Sequence, residues 1–465
     1  MNAMRTEAVP PSTDLLVQEL IPAPDPWAMC LRLADRPHML FLDSARRGSL
    51  GRYSFLCVDP YQWLAEESIA SLERWLGPEQ PRHPELPPFQ GGMAGLWGYD
   101  LCHQLERLPR ARYDEFGVPA LGVGLYDVVL AWDHVQRRAW LLSTGMPETG
   151  SARHMRAAQR LREMLAWLGR TDVNPRPHPL EPRVQPQCFH VLQGQVGSSF
   201  TPQGFRAAIR AGIEYVHAGD CFQVNLSQRL LAPLREHPLE LYGRLREVNP
   251  APFAGYLDLG EQAVVSASPE RFLALREGRV VTRPIKGTRP RGRTPEEDER
   301  IARELQESIK DRAENVMIVD LLRNDLGRVC RFGSVQVASL CRLETYPTVH
   351  HLVSEVVGTL APGRGPMDLM RAAFPGGSIT GAPKVRAMEI IAELEPTVRG
   401  PYCGSLGYIG FDGTMDTSIL IRTFTAAGGW VQFPVGGGIV ADSDPDAEYA
   451  ETLTKASGLL RALPG

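Results

Sequence analysis

Segments with strand and helix patterns alternate irregularly along this chain of 465 residues, and that order constrains its fold more than any other feature. Residues 221–234 (CFQVNLSQRLLAPL) alternate like a strand, and residues 123–133, 417–427 and 430–440 form similar apolar runs bounded by turn residues. The pattern predicts an α+β fold with large, mainly antiparallel sheets.

Helices are predicted between these strands from caps and apolar spacing. Thr201 followed by Pro202 is a typical helix start. One uninterrupted helix is expected across residues 295–325, because no proline or glycine occurs inside that segment after its first residue. The remaining expected helices cover residues 151–169, a segment from Pro383, and a segment from Pro445 to Leu463.

A proline-rich segment at residues 171–187 (TDVNPRPHPLEPRVQPQ) divides two well-patterned regions and is interpreted as an exposed linker. The predicted organisation is therefore an N-terminal α+β region (1–170), a linker (171–190) and a catalytic region (191–465). The N-terminal region offers no catalytic constellation of its own.

Composition excludes several classes of protein. The net charge of -4 gives no general attraction to nucleic acid or acidic membranes. No apolar run is long enough for a membrane span, and the first residues lack the apolar core of a signal peptide. The eight cysteines are scattered without a CxxC pair, which is typical of neither a zinc site nor a disulfide framework. We expect a cytoplasmic protein that binds neither nucleic acid nor membrane.

Only four of the 50 basic residues are lysines: Lys286, Lys310, Lys384 and Lys455. A partly desolvated lysine can act as an amine nucleophile, whereas arginine stays protonated. Lys286 follows an apolar strand, and Glu270 lies sixteen residues upstream at the end of another. The two could face one cavity as amine and acid, if a short connection sets their strands side by side. A surface ion pair on a hairpin is the alternative.

Two segments with helical patterns each carry a pair of carboxylates three residues apart, which places both on one helix face. The pairs are Asp311 with Glu314 and Glu448 with Glu451. Together they could hold a hard divalent cation, and Mg²⁺ takes one or two protein carboxylates beside water and ligand oxygens. Acidic helix faces that are merely solvated remain the alternative.

Glycine-rich turns and one arginine indicate a site for a small polyanion. Residues 374–391 (FPGGSITGAPKVRAMEII) lead a glycine turn into a helix, and residues 434–440 (PVGGGIV) offer a second run of bare amides. Arg422 lies inside an apolar segment read as a strand, where a buried guanidinium requires a carboxylate partner. These features fit a dicarboxylate ligand.

The motifs SPERF, RPIKGT, DRAENVMIVDLLRNDLGRV, VHHLVS, FPGGSITGAPKVRAMEII, IRT and GGGIVADSDPDAEYAE closely resemble the chorismate-utilising enzymes. The resemblance is dense from about residue 200 to 460 and thinner in the N-terminal third. It implies a two-sheet sandwich with helices outside. It also implies chorismate as the substrate and Mg²⁺ as the cofactor, bound directly by Glu314 and Glu451, with Asp311 and Glu448 acting through waters.

The same resemblance implies roles for the other site residues. Anthranilate synthases carry alanine where this chain has Lys286, and a lysine in PIKGT resembles members that convert chorismate to 4-amino-4-deoxychorismate. Lys286 would then form a covalent adduct, and Glu270 would protonate the departing hydroxyl. His351 would line the ring as a positioning group or base, unless it is only a packed histidine. The substrate-binding residues implied are Ser378, Thr380, Tyr402, Arg422, Gly436, Gly437 and Gly438.

Ammonia would come from a separate glutamine amidotransferase subunit, because no nucleophile elbow of such an enzyme occurs in the chain. Residues 41–44 (FLDS) and 249–253 (NPAPF) resemble segments of a tryptophan-binding pocket in the family, so tryptophan is a possible further ligand. Three alternatives remain at this point: an anthranilate synthase, a non-catalytic chorismate-binding protein, and a lyase that forms a Schiff base on Lys286.

Overall fold

Two large antiparallel sheets form the framework of the molecule. The structure is a computed structural model, and it describes residues 15–190, 196–346 and 349–464. Over these residues the first sheet has 13 strands: β1 (Leu16–Glu19), β2 (Leu40–Asp43), β3 (Tyr53–Cys57), β7 (Val128–Asp133), β8 (Arg138–Ser143), β9 (Phe189–His190), β10 (Gly197–Ser198), β11 (Gln223–Pro233), β12 (Phe253–Asp258), β13 (Ala263–Ser268), β19 (Gly381–Ala382), β22 (Thr423–Ala427) and β23 (Trp430–Ile439). Their order is β1-β8-β7-β3-β2-β12-β13-β22-β23-β11-β10-β9, and β19 pairs with β11.

The second sheet has ten strands within the described ranges: β4 (Gln62–Leu64), β5 (Gly92–Trp97), β6 (Leu121–Tyr126), β14 (Arg271–Arg276), β15 (Arg279–Thr282), β16 (Ile285–Pro290), β17 (Gln336–Thr345), β18 (Val349–Thr359), β20 (Ser405–Gly410) and β21 (Met415–Ile419). Their order is β16-β18-β15-β14-β21-β20-β5-β6-β4, and β17 pairs with β18.

The α-helices of the described chain are α1 (Pro26–Arg32), α2 (Glu73–Leu76), α3 (Cys102–Leu105), α4 (Gly150–Leu168), α5 (Pro202–His217), α6 (Pro238–Val248), α7 (Pro295–Glu307), α8 (Ile309–Gly327), α9 (Pro366–Ala373), α10 (Lys384–Leu394) and α11 (Pro445–Leu460). Two 3₁₀ helices cover Tyr99–Leu101 and Gly377–Ile379. In this part of the chain, no helix has the length and apolar character needed to cross a bilayer.

The sheets pack face to face with helices on their outer faces. In β7, Val129 and Ala131 join a core cluster with Leu96 of β5 and Leu406 of β20, which belong to the other sheet. The alternate β7 side chains, such as Leu130, belong to a cluster with α1, α4, α6 and α11. A third cluster lies between the second sheet and helices α8, α9 and α10. Because strand side chains alternate between faces, each sheet is buried on both sides. The predicted α+β sandwich is confirmed.

Strands from before and after the proline-rich segment are combined in both sheets. Phe41 of β2 pairs with Tyr256 of β12 in the first sheet, and Leu96 of β5 pairs with Leu406 of β20 in the second. The proline-rich segment has no regular secondary structure, but the Arg183 amide donates to the Gly428 carbonyl over 2.9 Å. The division into an N-terminal region, a linker and a catalytic region stays a prediction.

Several predicted helices are confirmed in the structure. Helix α4 covers the expected segment, and α10 and α11 begin at or beside Pro383 and Pro445. Helix α5 begins as expected, because the Thr201 hydroxyl accepts a hydrogen bond from the Gly204 amide over 2.9 Å.

The single helix predicted across residues 295–325 is wrong, since α7 and α8 meet at Ser308. That residue is extended (φ −61°, ψ 109°), and its hydroxyl accepts from the Asp311 amide over 3.2 Å. Serine is a favoured N-cap, so it can start a new helix without proline or glycine.

Two segments predicted as single strands instead cross from one sheet to the other. Residues 123–133 divide at Asp127 into β6 and β7, and residues 417–427 divide around Arg422 into β21 and β22. A break of this kind leaves the apolar pattern intact, because both halves are buried.

Candidate active site

Bare glycine backbone in β23 forms one wall of the candidate site. Gly437 and Gly438 pair with Leu226 and Asn225 of β11. A Cβ atom on Gly438 would lie 2.7 Å from Oε1 of Glu314, and one on Gly437 would lie 3.2 Å from Oε2 of Glu448. A side chain at Gly438 would therefore collide with the carboxylate, so glycine allows the acidic side chains of α8 and α11 to approach the strand.

Three of the four lysines neutralise three of the predicted metal ligands. Lys286 Nζ lies 2.7 Å from Glu314 Oε1, and Lys455 Nζ lies 2.6 Å from Glu451 Oε1. Lys310 Nζ lies 3.5 Å from Glu448 Oε1, which also accepts from the Ser443 hydroxyl over 2.8 Å. Through these three ion pairs, side chains of α8, α11 and β16 meet in one acidic cluster.

The positive charges of the lysines lower the pKa values of these carboxyl groups, whereas burial raises them. Burial alone would raise the pKa of Glu314, but Lys286 and Lys455 hold that pKa below its ordinary value. Burial would also raise the pKa of Glu451, but the charge and the hydrogen bond of Lys455 together hold that pKa below its ordinary value. Burial raises the pKa of Glu448. Glu314 and Glu451 are therefore the carboxylates best kept ionised.

Asp311 lies in the first turn of α8, three residues before Glu314, but it pairs with an arginine and not with a lysine. Its Oδ2 accepts from Arg289 Nη2 over 2.8 Å, and its side chain packs against Gly287. Its proposed role through a metal-bound water stays a prediction.

The residues present fit a magnesium ion in the chemistry of their donors. Carboxylate oxygens of Glu314, Glu448 and Glu451 converge on the same glycine backbone, and Mg²⁺ prefers oxygen ligands. Gln223 donates to Glu314 Oε1 over 3.0 Å, while its own Oε1 is buried without a hydrogen-bond partner among the described residues. A metal-bound water would satisfy such an acceptor. In the present side-chain arrangement, no three acidic, histidine or cysteine groups of the described chain surround a single ion position.

Glu270 is buried, and it lies close enough to Lys286 for the charge of that lysine to act on its carboxyl group. Its carboxyl accepts from the Ser378 hydroxyl over 2.8 Å. Burial raises its pKa to about 7, although the Ser378 hydrogen bond and the charge of Lys286 act in the other direction. A carboxyl group with this pKa can carry a proton at neutral pH and release it.

The strands that carry Glu270 and Lys286 are not arranged side by side as predicted. Their strands are not adjacent in a hairpin, because β14 and β15 intervene in the chain and β16 pairs with β18. Lys286 is only 12% exposed in its side chain, so the alternative of a surface ion pair on a hairpin is also wrong.

The glycine-rich loop before α10 carries Ser378 and Thr380. The Thr380 hydroxyl donates to the Gly376 carbonyl over 3.0 Å, and the Thr380 carbonyl accepts from the Asn225 amide of β11. Lys384, the remaining lysine, donates to Asp325 Oδ2 over 2.6 Å and to the Ala373 carbonyl over 2.8 Å. The loop is therefore fixed at both ends.

Tyr402 and Arg422 lie on a further side of the site. Arg422 is not in a strand as predicted, but in the crossing between β21 and β22, with φ of 54°. A positive φ is uncommon for arginine and is often found at functional sites. Its guanidinium donates to the Lys455 carbonyl and lies near enough to Tyr402 to interact with it electrostatically. Tyr402 is buried, and burial raises its pKa.

His351 lies in β18 opposite β16. Its Nδ1 is 2.8 Å from the Thr288 hydroxyl, and its ring meets the Tyr346 ring edge-on at 5.5 Å between centroids. Burial lowers the pKa of His351 to about 4, and the charges of Arg46 and Arg422 lower it further. His351 is therefore a neutral imidazole near pH 7.

Sequence reasoning missed three groups that the structure adds to the site: Gln223, Lys310 and Lys455. The two lysines carried a usable signal, because Lys310 precedes Asp311 and Lys455 follows Glu451 by one helical turn. Gln223 carried none, since a glutamine in a strand has no distinctive neighbours.

A separate cavity of about 250 Å³ lies between the sheets. Its lining includes Ser44 and Phe253, from the two segments expected to form a tryptophan pocket, and also Tyr408 and Arg271. Arg271 is already paired with Asp416 over 2.8 Å. Tryptophan binding stays a prediction.

Comparison with known proteins gives a consistent result. A family model described as chorismate binding enzyme matches residues 52–461. The chain is 42% identical over 463 residues to anthranilate synthase component 1 of Thermus thermophilus, covering 94% of this chain and 95% of that protein. It is 46% identical over 385 residues to aminodeoxychorismate synthase component 1 of Escherichia coli, covering 83% and 79%. The crystal structure of anthranilate synthase component I from Streptococcus pneumoniae has a TM-score of 0.74 at 30% identity, covering 89% and 93%.

Proposed function

This chain belongs to the family of chorismate binding enzymes, and from that premise we propose that it is component 1 of a cytoplasmic aminodeoxychorismate synthase. It would convert chorismate and ammonia to 4-amino-4-deoxychorismate, a precursor of 4-aminobenzoate and folate. The observation that carries the proposal is the position of Lys286, a nearly buried amine that pairs with Glu314 of the acidic cluster and whose charge also acts on the protonatable Glu270.

The resemblance assigns alanine to this position in anthranilate synthases, where ammonia itself attacks the ring. A lysine there can occupy the same attacking position and direct ammonia elsewhere. Glu270 supports this role, because a buried carboxyl with a pKa of about 7 can donate a proton to a leaving hydroxyl.

The reaction would proceed in two displacements. After Lys286 releases its ammonium proton to solvent, its amine adds to the ring carbon beside the carboxylated one, the double bonds shift, and the allylic hydroxyl leaves as water with a proton from Glu270. Ammonia then adds at the carbon that lost the hydroxyl, the double bonds shift back, and the amine of Lys286 departs. Two assisted displacements replace one with a poor leaving group, which is the usual benefit of covalent catalysis.

Other residues of the chain would hold the substrate. Arg422 and the amides of Gly436–Gly438 suit the carboxylates, and Tyr402, Ser378, Thr380 and His351 would enclose the ring. Magnesium held by Glu314 and Glu451, when bound, would supply Lewis-acid polarisation of the ring carboxylate. Neutral His351 can accept or donate a hydrogen bond without adding charge beside the ring.

A separate amidotransferase would supply the ammonia. The names of the relatives identify each as one component of its enzyme. The association of this chain with a glutaminase subunit is part of the same proposal.

The main rival is an anthranilate synthase, because the relative that aligns over 463 residues carries that name. A product assay separates the two. Purified protein receives chorismate, Mg²⁺ and ammonium at alkaline pH, with or without a lyase that removes pyruvate from 4-amino-4-deoxychorismate. Formation of 4-aminobenzoate only in the presence of the lyase supports the proposal. Anthranilate supports the rival, and no consumption of chorismate indicates a non-catalytic binding protein.

The variant Lys286→Ala sharpens this assay. We expect it to lose amination at the hydroxyl-bearing carbon and to form some anthranilate, because ammonia can then attack the position that lysine occupied. Arg279→Ala is the control, since Arg279 is an exposed cation on β15, the strand that precedes β16 in the chain. Unchanged 4-amino-4-deoxychorismate from Lys286→Ala would exclude the covalent route.

A further inference from the structure

The turn after β2, in the N-terminal region, brings a cation to the catalytic side of the molecule. The backbone of Arg46 is fixed there, because its amide donates to the Ala251 carbonyl over 3.0 Å. Its own carbonyl packs against Gly51, where a Cβ atom would lie 2.1 Å from the oxygen. The side chain of Arg46 therefore extends from a fixed backbone position.

The guanidinium of Arg46 rests on the ring of Tyr346. Its Cζ lies 4.0 Å from the ring centroid, within the range of a cation–π contact. Across the described residues, the guanidinium forms no ion pair, and burial lowers its pKa. The aromatic ring is thus its principal partner.

Tyr346 also contacts His351. Its hydroxyl donates to Glu344 Oε2 over 2.5 Å, and Glu344 is in turn paired with Arg283. Its ring edge meets His351, which is joined to Thr288 on the strand that carries Lys286. A continuous row of contacts runs from Arg46 through Tyr346 and His351 to β16.

We propose that Arg46 is a positioning residue for the active site: by stacking on Tyr346, it holds the Tyr346–His351 ring pair against the strand that carries Lys286. The inference rests on the proposed function for its catalytic consequence. It also gives the N-terminal region a direct part in the site, for which the sequence offered no chemistry.

Few charged groups lie around His351, so the effect of each one on the pKa of His351 can be measured. Arg46 faces it from the turn after β2, Arg422 from the crossing between β21 and β22, and His350 is its neighbour in β18. Glu344 of β17 lies opposite it in register, but is paired with Arg283. Removing the charge of Arg46 should therefore act on His351 without another group compensating.

The test uses Arg46→Met, which keeps the unbranched chain as far as the position of Nε without the charge, and Arg46→Lys, which keeps the charge. Arg47→Met is the matched control, because Arg47 is the exposed neighbour in the same turn. The pKa of His351 is followed by NMR in the full-length chain, with His351→Gln used to assign its signal. Arg46→Met should raise that pKa by about 1 toward the ordinary value, and Arg46→Lys should change it little.

Steady-state kinetics with chorismate at saturating ammonium give the second readout. For Arg46→Met we expect kcat to fall about tenfold with KM within about twofold, because misplacement of the site affects the reacting geometry more than binding. Arg46→Lys should recover most of that loss, and Arg47→Met should resemble the wild type. If the wild type itself consumes no chorismate, the proposed function fails, while the NMR result still tests the contact.

A double-mutant cycle covers the case in which Arg46→Met folds poorly. If Arg46 acts through Tyr346, Tyr346→Leu should itself lower kcat, and adding Arg46→Gln to it should lower kcat by less than Arg46→Gln does in the wild-type background. The proposal is overturned if Arg46→Met leaves both the acid dissociation constant of His351 and kcat within about twofold of the wild type, if Arg47→Met has the same effect, or if the effects of Arg46→Gln and Tyr346→Leu on kcat simply add.

Discussion

At the scale of single residues, Glu270 connects the stability of the fold to the proposed chemistry. The carboxyl is buried, and its pKa of about 7 exceeds the ordinary value of 4.5. The native state therefore keeps this proton between about pH 4.5 and pH 7, where the unfolded chain releases it. Stability from this group is complete at low pH and is lost as the pH rises through 7, the price of holding a protonated acid beside Lys286.

The variant Glu270→Gln should show this directly. Since one unit of pKa corresponds to about 1.4 kcal/mol, we expect the variant to gain up to about 3 kcal/mol over the wild type at pH 8.5, and little at pH 5. Urea unfolding at the two pH values measures the difference, and activity should be lost at both. Glu85→Gln, at an exposed carboxylate, is the control. Equal stability of Glu270→Gln and the wild type at both pH values would contradict the raised pKa.

At the scale of elements, the buried pair of Lys384 and Asp325 ties the start of α10 to α8. Lys384 also donates to the last residue of α9, so three helices meet at one ammonium. The loop between α9 and α10 carries Ser378, which binds Glu270. The pair of Lys384 and Asp325 thus fixes the two ends of the loop that carries Ser378.

The variant Lys384→Met should destabilise the protein by about 3 kcal/mol, because it leaves the carboxylate of Asp325 buried without a partner. The double variant Lys384→Met/Asp325→Leu should cost less than the single one, since no uncompensated charge remains. Free energies of unfolding in urea at pH 7 measure both. Simple addition of the two single effects would show that the residues do not form one pair.

The sequence allowed correct prediction of elements whose signals are local, and failed where the chain changes direction inside an apolar run. Thr201 and Pro202 marked the start of α5, because a cap needs only its immediate neighbours. Asp127 and Arg422 divide segments that stay apolar on both sides, so the pattern gave no sign that the chain crosses between sheets.

The candidate site shows the same limit. Glu314, Glu448 and Glu451 lie beside the glycines of β23, and both the helical spacing of the carboxylates and the glycine run are visible in the sequence, but the metal site expected from them and Asp311 stays a prediction. The partners of these carboxylates were not foreseen. Lys286 meets Glu314 across 28 residues and Arg46 meets Tyr346 across a far greater separation, and only the folded sheets bring such pairs together.

At the scale of the whole molecule, the two regions on either side of the proline-rich segment share both sheets. Each sheet contains a backbone ladder between them, at β2 with β12 and at β5 with β20. Removing the N-terminal region would expose strand edges and both inner faces of the sandwich. We therefore expect a single cooperative unit.

A fragment comprising residues 188–465 tests this expectation. It should lack a cooperative unfolding transition and should not bind chorismate, whereas co-expression with residues 1–187 should restore both. Circular dichroism during thermal unfolding and calorimetry with chorismate provide the measurements. A fragment that unfolds cooperatively and binds chorismate alone would show instead that the catalytic region is an independent domain.

The account depends most on the covalent role of Lys286, and mass spectrometry tests that role most directly. The wild-type protein is incubated with chorismate and Mg²⁺ without ammonia, quenched in acid and digested. We predict that the peptide containing Lys286 gains the mass of chorismate less one water, and that Lys286→Ala and Glu270→Gln show no such gain. A protein that aminates chorismate when ammonia is added, yet never carries this mass on Lys286, would contradict the account.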